Sequence, residues 1–535
     1  MINDSTDGSQ AATRNLTFSL LVVLLVGGAI RFVPVLGSGF PLNDGGLFAQ
    51  MSRDLAAHGM TLPTFTTYNG EQIPFAYPPL GLYLAAILGS LPGLSVVAVL
   101  QFAPATIATT SIFVVHLLAC RLGGSAWFGV AAAGAFALMP RSYIWLVGGG
   151  GMTRALGLLL ALLAIHQGIG LVQSGARRQL ILTALFGGLT ALAHPHAAVF
   201  LAVSLGSIAL LRSGRAVLPA LGRLVTAALG AVVILAPWIL AVLLNHGAGP
   251  FLSAGGTGIN MSAGLIALLG INFIDAPVVD VFTAAGVLGS VVMAARGKWV
   301  VPCWLLATVV TDPRAGMTYA TVPLAIAAAF FIKDGLGRLV QVSDLATALN
   351  STPIPRLLSK QPALVTVLAV ILFVGVRANA RTAADPGVPL HGLTEDHVAA
   401  MAWVKDNTAP DQRFAIVTAH RWELDYFSEW FPFLAQRESV ATVQGSEWTG
   451  LDGFINRLAR FRQLQECAPR VASCLEGWRL GWDVLDAYVI IPKGRLYGPM
   501  TSVDCCPALR EDLHRMQNWS VAYHGPGATV FAPRN

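Results

Sequence analysis

Asp44 lies in the run Asn43-Asp44-Gly45-Gly46-Leu47-Phe48, just after the first long apolar stretch of the chain, Leu16 to Leu36. A carboxylate at that position can act as a general base, taking a proton from a hydroxyl as its oxygen attacks an electrophilic carbon. It can equally cap an amphipathic helix beginning near Gly46, a common use of Asp. Asp54, beside Arg53, reads as a solvated acid on a polar face. Cations stand further along. Arg154 closes a segment with four consecutive glycines, Gly148 to Gly151, which either lets backbone approach a ligand or merely breaks a helix. His194-Pro195-His196 could bind a metal or a phosphate, or be polar residues at lipid headgroups, although a bare pair falls short of the three or four ligands of a zinc site. Arg314, in Asp312-Pro313-Arg314, could hold a phosphate through paired hydrogen bonds, or a lipid headgroup.

These residues must be positioned by a membrane. The chain has 535 residues, 55% of them hydrophobic and 12% charged, against about a quarter charged in a soluble domain. Residues 16–380 are nearly free of charge over long stretches, whereas 385–535 resemble an ordinary soluble domain. The sequence therefore predicts a membrane unit over 1–384 and a soluble mixed α/β domain over 385–535. The net charge of +6 is spread over short gaps between apolar runs. It forms no basic tail, so nucleic acid is not expected as a partner.

Apolar runs centre on 16–36, 94–119, 124–140, 152–173, 179–193, 196–211, 216–244, 277–295, 299–311, 316–332 and 362–379, giving about eleven spans. The segment Pro78 to Leu91 is too short to cross and is expected to lie at the interface, with Pro78 and Pro79 fixing its entry. With the N-terminus in the cytoplasm, the inner gaps hold Arg121, Arg177, Arg178, Arg212, Arg215, Arg223, Arg296, Lys298, Lys333, Arg338, Arg356 and Lys360. The opposite gaps hold mainly acids, among them Asp44, Asp54, Glu71, Asp275, Asp280 and Asp312, as the positive-inside rule requires. Asp44, Arg154, His194, His196 and Arg314 then share one outer face with the long first loop, 37–93, and with the soluble domain.

The soluble domain is expected to open with a helix from Glu395 to Asn407, capped by Thr394. Strands are expected at Phe414 to Thr418, Ala487 to Ile491 and Ala528 to Phe531. Its cysteines, Cys467, Cys474, Cys505 and Cys506, suit disulfides in an extracytoplasmic setting, with Cys467–Cys474 the favoured pair and free buried thiols the alternative. Cys120 and Cys303 read as packing residues. Trp422 and Trp430, in a segment mixing aromatics and acids, could contact an acceptor or simply pack, and Glu447 joins them as a candidate acceptor contact.

The pattern resembles the GT-C superfamily of membrane glycosyltransferases, which includes protein O-mannosyltransferases and bacterial aminoarabinose transferases. The matching features are Asp44 after the first span, Pro78-Pro79-Leu80 at the end of the first outer loop, Arg314 before an apolar helix containing Pro323, Trp403 with Asn407-Thr408, and Trp430-Phe431-Pro432 with Arg437. Two departures are visible. Gly45 stands where many members carry Glu, and the Trp-Trp-Asp-Tyr-Gly motif of oligosaccharyltransferases is missing. The resemblance implies a cell-envelope enzyme that takes one sugar from a polyprenyl-phosphate donor and passes it to a glycan, lipid or protein acceptor. Asp44 would be its base, and Arg314, Arg154, His194 and His196 would face the departing phosphate. Inversion is expected, because one carboxylate supports one displacement. No cofactor is required, although a divalent metal is possible. A transporter or lipid flippase, or a non-catalytic glycan-binding assembly subunit, is the alternative from another class.

Overall fold

The computed structural model describes residues 3–257, 280–313, 315–336, 362–385, 388–470, 472–493 and 504–534. A helix lies on each of the eleven apolar runs, and shorter helices occupy the first loop. In chain order the membrane unit contains α1 (Asn3–Ser38), α2 (Gly46–Ala57), α3 (Leu80–Gly89), α4 (Val96–Gly123), α5 (Ala126–Leu138), α6 (Gly151–Ser174) and α7 (Arg177–Ala193). There follow α8 (Pro195–Arg212), α9 (Val217–His246), α10 (Gly249–Gly256), α11 (Val281–Ala295), α12 (Val300–Thr311), α13 (Gly316–Phe330) and α14 (Pro362–Ala383). Among the described residues, six stretches are long and apolar enough to cross a bilayer: Gln10–Ser38, Val96–Gly123, Gly151–Ser174, Pro195–Arg212, Gly214–His246 and Gly316–Asp334. The protein is thus an integral membrane protein. Helix α3 has ten residues, or about 15 Å, half the hydrocarbon thickness, in keeping with an interfacial segment.

Local chemistry sets the helix ends. Ser95 and Ser125 accept the backbone N–H of Ala98 and Phe128 at the starts of α4 and α5, while Gly124 and Gly175 take left-handed conformations after α4 and α6. Helix α13 is buried along its whole length. It can sit at the centre because α11 presents Gly286 and Gly289 directly against its backbone at Leu324 and Ala327, the close approach that small residues permit between membrane helices.

The first loop carries a two-stranded hairpin, β1 (Phe65–Thr66) with β2 (Ile73–Pro74). Asp54 ties it to α2 and is buried, contrary to the solvated position expected from its polar neighbours. Its carboxylate accepts the hydroxyls of Thr66 and Thr67 at 2.6 Å each, the Thr67 N–H at 2.9 Å and the Gln50 amide at 2.9 Å.

The C-terminal domain is built on β3 (Arg413–Ile416), β4 (Glu438–Ser439), β5 (Tyr488–Pro492), β6 (Trp519–His524) and β7 (Ala528–Pro533), in the order β4-β3-β5-β7-β6. Strands β4, β3 and β5 run parallel, and β7 and β6 are antiparallel additions. The helices are α15 (Glu395–Asn407), α16 (Tyr426–Ala435), α17 (Leu451–Gln465), α18 (Ala472–Gly481) and α19 (Pro507–Arg515). Thr394 caps α15 as expected. Disulfides join Cys467 to Cys474 and Cys505 to Cys506.

The apolar core of this domain does not stop at residue 385. Leu47, Phe48, Met51, Leu55, Tyr68, Ile73 and Phe75 of the first loop share one buried cluster with Phe414, Ile416, Phe427, Trp430, Ile490 and Phe531. At the sheet edge, the Asn69 side chain imitates a strand partner: its amide donates to the Ser439 carbonyl at 3.0 Å and its oxygen accepts the Ser439 N–H at 2.7 Å. The first loop is folded onto the C-terminal domain, and this places the domain at Asp44.

Candidate active site

The segment Leu42–Asp44 leaves α1 between two backbone neighbours. The Asn43 N–H donates to His391 O at 2.7 Å on one side. On the other, the N–H groups of Gly149 and Gly150 donate to the carbonyls of Leu42 and Asp44 at 2.8 and 2.9 Å. This contact explains the glycine run. A Cβ at Gly149 would overlap the Asp44 carbonyl oxygen, and one at Gly150 would lie 2.5 Å from Asp44 Oδ2. The glycines admit the Asp44 segment itself.

The Asp44 side chain is gripped from α6. Arg154 Nη2 donates to both carboxylate oxygens at 2.9 Å, and the Gly150 N–H approaches Oδ1 at 3.2 Å. Arg154 is itself aimed by its Nε, which donates to the Trp145 carbonyl at 2.9 Å. The side chains of Arg154 and Asp44 are about one-fifth exposed, 22% and 20%, so the carboxylate is held and still reachable. Asp44 does not cap α2. Gly45 occupies the cap position at φ 155, and a side chain there would overlap the Trp430 ring.

The N-terminal amides of α2 are satisfied by Glu429 of α16. Its carboxylate accepts the N–H groups of Gly45, Gly46 and Leu47 at 3.0, 2.8 and 2.9 Å. Burial and the nearby Asp44 charge push the Glu429 carboxyl up to about 8, against the downward pull of the three N–H donors. Beside it, Trp430 Nε1 donates to the Asn43 carbonyl at 2.8 Å, and the Tyr68 hydroxyl donates to the Glu429 carbonyl at 2.5 Å. Trp430 is fully buried; of the two roles open to it, acceptor contact and packing, it has the second. Sequence reading missed Glu429. A signal was present, since Tyr426, Glu429, Trp430 and Phe433 fall at helical spacing on one face, making Glu429 the single acid in an otherwise aromatic stripe.

The other expected cations lie one helix away. Arg314 lies outside the described residues, but its neighbour Asp312 accepts His196 Nδ1 at 2.7 Å and the Ala315 N–H at 3.0 Å. His194 Nδ1 lies 3.2 Å from the Tyr319 hydroxyl, and its ring is 5.4 Å from that of His196. Pro195 starts α8, where its missing N–H costs nothing, and so fixes both histidines at the corner between α7 and α8. Gly157, one turn beyond Arg154, faces His194 so closely that a Cβ there would lie 2.8 Å from the His194 Cβ. The histidine corner therefore packs on α6 one turn from Arg154. The Asp312 carboxylate on Nδ1 fixes the orientation of the His196 ring.

Trp422 stacks edge-on against Phe454 with centroids 6.0 Å apart. Glu447 is partly exposed and accepts the Gly445 N–H at 2.9 Å. Its neighbour Trp448, which sequence reading did not single out, meets Tyr77 edge-on at 5.7 Å, and the Tyr77 hydroxyl is 3.0 Å from Thr153, adjacent to Arg154. Tyr77 of the first loop and Trp448 of the C-terminal domain thus form a partly exposed aromatic wall beside the Asp44–Arg154 pair.

Both Asp44 oxygens face a guanidinium, and among the described residues no three His, Cys, Asp or Glu side chains converge as ligands.

No family model and no curated protein matches this chain. Solved structures do. ArnT from Cupriavidus metallidurans in the apo state is 16% identical at a TM-score of 0.55, covering 96% of this chain and 98% of its own. The archaeal oligosaccharyltransferase AglB from Archaeoglobus fulgidus, in complex with an inhibitory peptide and a dolichol-phosphate, is 16% identical at 0.54, covering 89% and 69%. A mutant of the mycobacterial arabinofuranosyltransferase AftD is 16% identical at 0.55, covering 96% of this chain and 41% of its own. All three are GT-C superfamily membrane glycosyltransferases, and at this identity the likeness is one of fold.

Proposed function

We propose that this chain, built on the GT-C glycosyltransferase fold, moves a single sugar from a polyprenyl-phosphate donor to an acceptor hydroxyl at the outer face of the plasma membrane, with inversion. The observation that carries this reading is the Asp44 carboxylate, held by Arg154 and Gly150 yet partly exposed. The acceptor oxygen attacks the anomeric carbon while its proton passes to Asp44. The bond from that carbon to the phosphate oxygen breaks, and the electron pair leaves with the polyprenyl phosphate. Arg154 keeps the carboxylate aimed. His196, oriented by Asp312, would receive the phosphate together with His194 and Arg314. No step is routed through a metal.

A lipid-phosphate donor is supported by two solved relatives of the fold: ArnT was solved bound to undecaprenyl phosphate, and AglB with a dolichol-phosphate. The acceptor, a glycan, lipid or protein, would lie along the Tyr77–Trp448 wall with Glu447 and Trp422. The orientation, N-terminus cytoplasmic, eleven spans and soluble domain outside, rests on the alternation of loop charges and on the Cys467–Cys474 disulfide. The test is to incubate the purified protein in lipid nanodiscs with a panel of mannosyl-, arabinosyl- and aminoarabinosyl-phosphoundecaprenols and follow undecaprenyl phosphate. Release that depends on added acceptor supports the proposal. No release from any donor would leave transport or scaffolding as the better account. A product with the donor's own anomeric configuration would overturn inversion.

A further inference from the structure

The soluble domain touches the first loop through many side chains, but one contact stands apart. A single carboxylate, 384 residues from Gly45 in the chain, takes three successive backbone N–H groups that immediately follow Asp44. We propose that Glu429 is a positioning residue for the transfer reaction, setting the backbone of Gly45–Leu47 and thereby the direction of the Asp44 carboxylate. This rests on the proposed role of Asp44 as base.

Four observations support it. Glu429 is 1% exposed, so it meets no substrate and must act through what it holds. Its three donors are the first amides of α2, which no other side chain caps. Such amides have no partner within the helix and need acceptors, which the two Glu429 oxygens supply. The approach is also tight: a Cβ at Gly46 would lie 2.5 Å from the Glu429 carbonyl oxygen, and Trp430 bonds the residue before Asp44. Asp44 therefore has its side chain held from α6 and its backbone held from α16. If either grip loosens, the carboxylate loses its aim, and misplacements of about 1 Å cost on the order of 100-fold in rate.

The test uses the full-length protein in nanodiscs with Glu429→Gln, which keeps the shape but offers one acceptor oxygen in place of two, and Glu429→Ala. Hydrogen–deuterium exchange is read at segment 42–50, with β3 and β5 as internal references. The expected result is roughly tenfold or faster exchange at 42–50 in Glu429→Gln with the reference strands unchanged. With whichever undecaprenyl-phosphate sugar the wild type turns over, kcat should fall at least tenfold while the donor KM stays within about twofold. Wild-type exchange at 42–50 in Glu429→Gln overturns the proposal, as does a kcat within twofold of wild type. A uniform rise in exchange across β3 and β5 would assign Glu429 to general stability and also overturn it. Asp44→Asn is assayed alongside. If Asp44→Asn stays active, the base assignment fails whatever Glu429 does. If Asp44→Asn is inactive and Glu429→Gln is not, only the positioning role fails.

Discussion

Arg154 Nη2 reaches both oxygens of Asp44 at 2.9 Å, so one guanidinium nitrogen fixes the carboxylate. The pair is part-buried, and its value lies in direction more than in stability. Replacing Arg154 by Ala should lower kcat by roughly 10²–10³, the usual scale for losing one preorganised electrostatic partner. Arg154→Lys should fall between, because it keeps the charge but loses the planar fork and the Nε bond to Trp145. Steady-state release of polyprenyl phosphate checks both. Equal rates in Arg154→Lys and wild type would show that charge alone suffices.

Gly150 is constrained by Asp44 and not by its own backbone angles. Gly150→Ala places a methyl group against Asp44 Oδ2, and the carboxylate must move. We expect a drop of roughly 100-fold in kcat with folding retained, seen as an unchanged elution profile in detergent. Gly206, around which a Cβ meets open space, is the control: Gly206→Ala should be silent.

Trp430 and Trp448 should separate cleanly. Trp430→Ala removes a fully buried ring and its bond to Asn43, and should cost about 3–5 kcal/mol of stability. Trp448→Ala should leave the melting temperature within a few degrees and raise the acceptor KM, as should Glu447→Gln. An unchanged acceptor KM in both would move the acceptor site elsewhere.

Stability should decline on both sides of neutral pH, for opposite reasons. Burial lowers His391 and His397 from the ordinary value of 6.5. The unfolded chain then binds protons that the folded one refuses, so stability present above pH 6.5 is lost as pH falls below it. Glu429, raised from 4.5 to about 8 by burial and by Asp44, keeps in the folded state a proton that the unfolded chain has shed. Its contribution is full below pH 4.5 and is lost as pH rises towards 8. Thermal melts of wild type should therefore fall from pH 6.5 to pH 8.5. Glu429→Gln should flatten that alkaline decline and steepen the fall between pH 6.5 and pH 4.5, where the Glu429 contribution opposes that of the histidines.

Asp54 is a structural acid. Asp54→Ala removes the acceptor of the buried Thr66 hydroxyl, at about 1–3 kcal/mol, and releases the more exposed Thr67 hydroxyl and N–H from α2. Chymotrypsin should then cut faster at Leu62, Phe65 or Tyr68, while cleavage elsewhere stays at the wild-type rate.

What the sequence revealed and what it concealed divide by the range of the interactions. Helix α15 was legible to the residue, because Thr394 and the apolar spacing after it are local signals. The apolar runs were legible because a bilayer demands length and hydropathy from each helix separately. The parallel strands β3 and β5 announced themselves as short apolar runs. The two-residue β4 is too short to show a period, and β6, largely exposed beyond Trp519 at a sheet edge, carries little apolar signal.

Asp44 was legible as a candidate, but its partners were not. Arg154 was expected to face a phosphate; it bonds Asp44, because the glycine run before α6 pairs with the Leu42–Asp44 segment. Asp54 sits among polar neighbours in sequence and looks solvated, yet the hairpin folds back over it. Glu429 caps a helix hundreds of residues away, and no local pattern encodes such a pairing. The functions of these side chains are set by tertiary contact.

The most direct measurement is the rate of undecaprenyl phosphate release by Asp44→Asn beside wild type, in nanodiscs with a donor that wild type consumes. Asparagine keeps the size of the side chain and an acceptor for Arg154 but cannot take up the acceptor's proton. The account predicts a fall of roughly 10²–10⁴ in kcat with donor binding and melting temperature close to wild type. A folded Asp44→Asn protein that releases undecaprenyl phosphate at near the wild-type rate would contradict it.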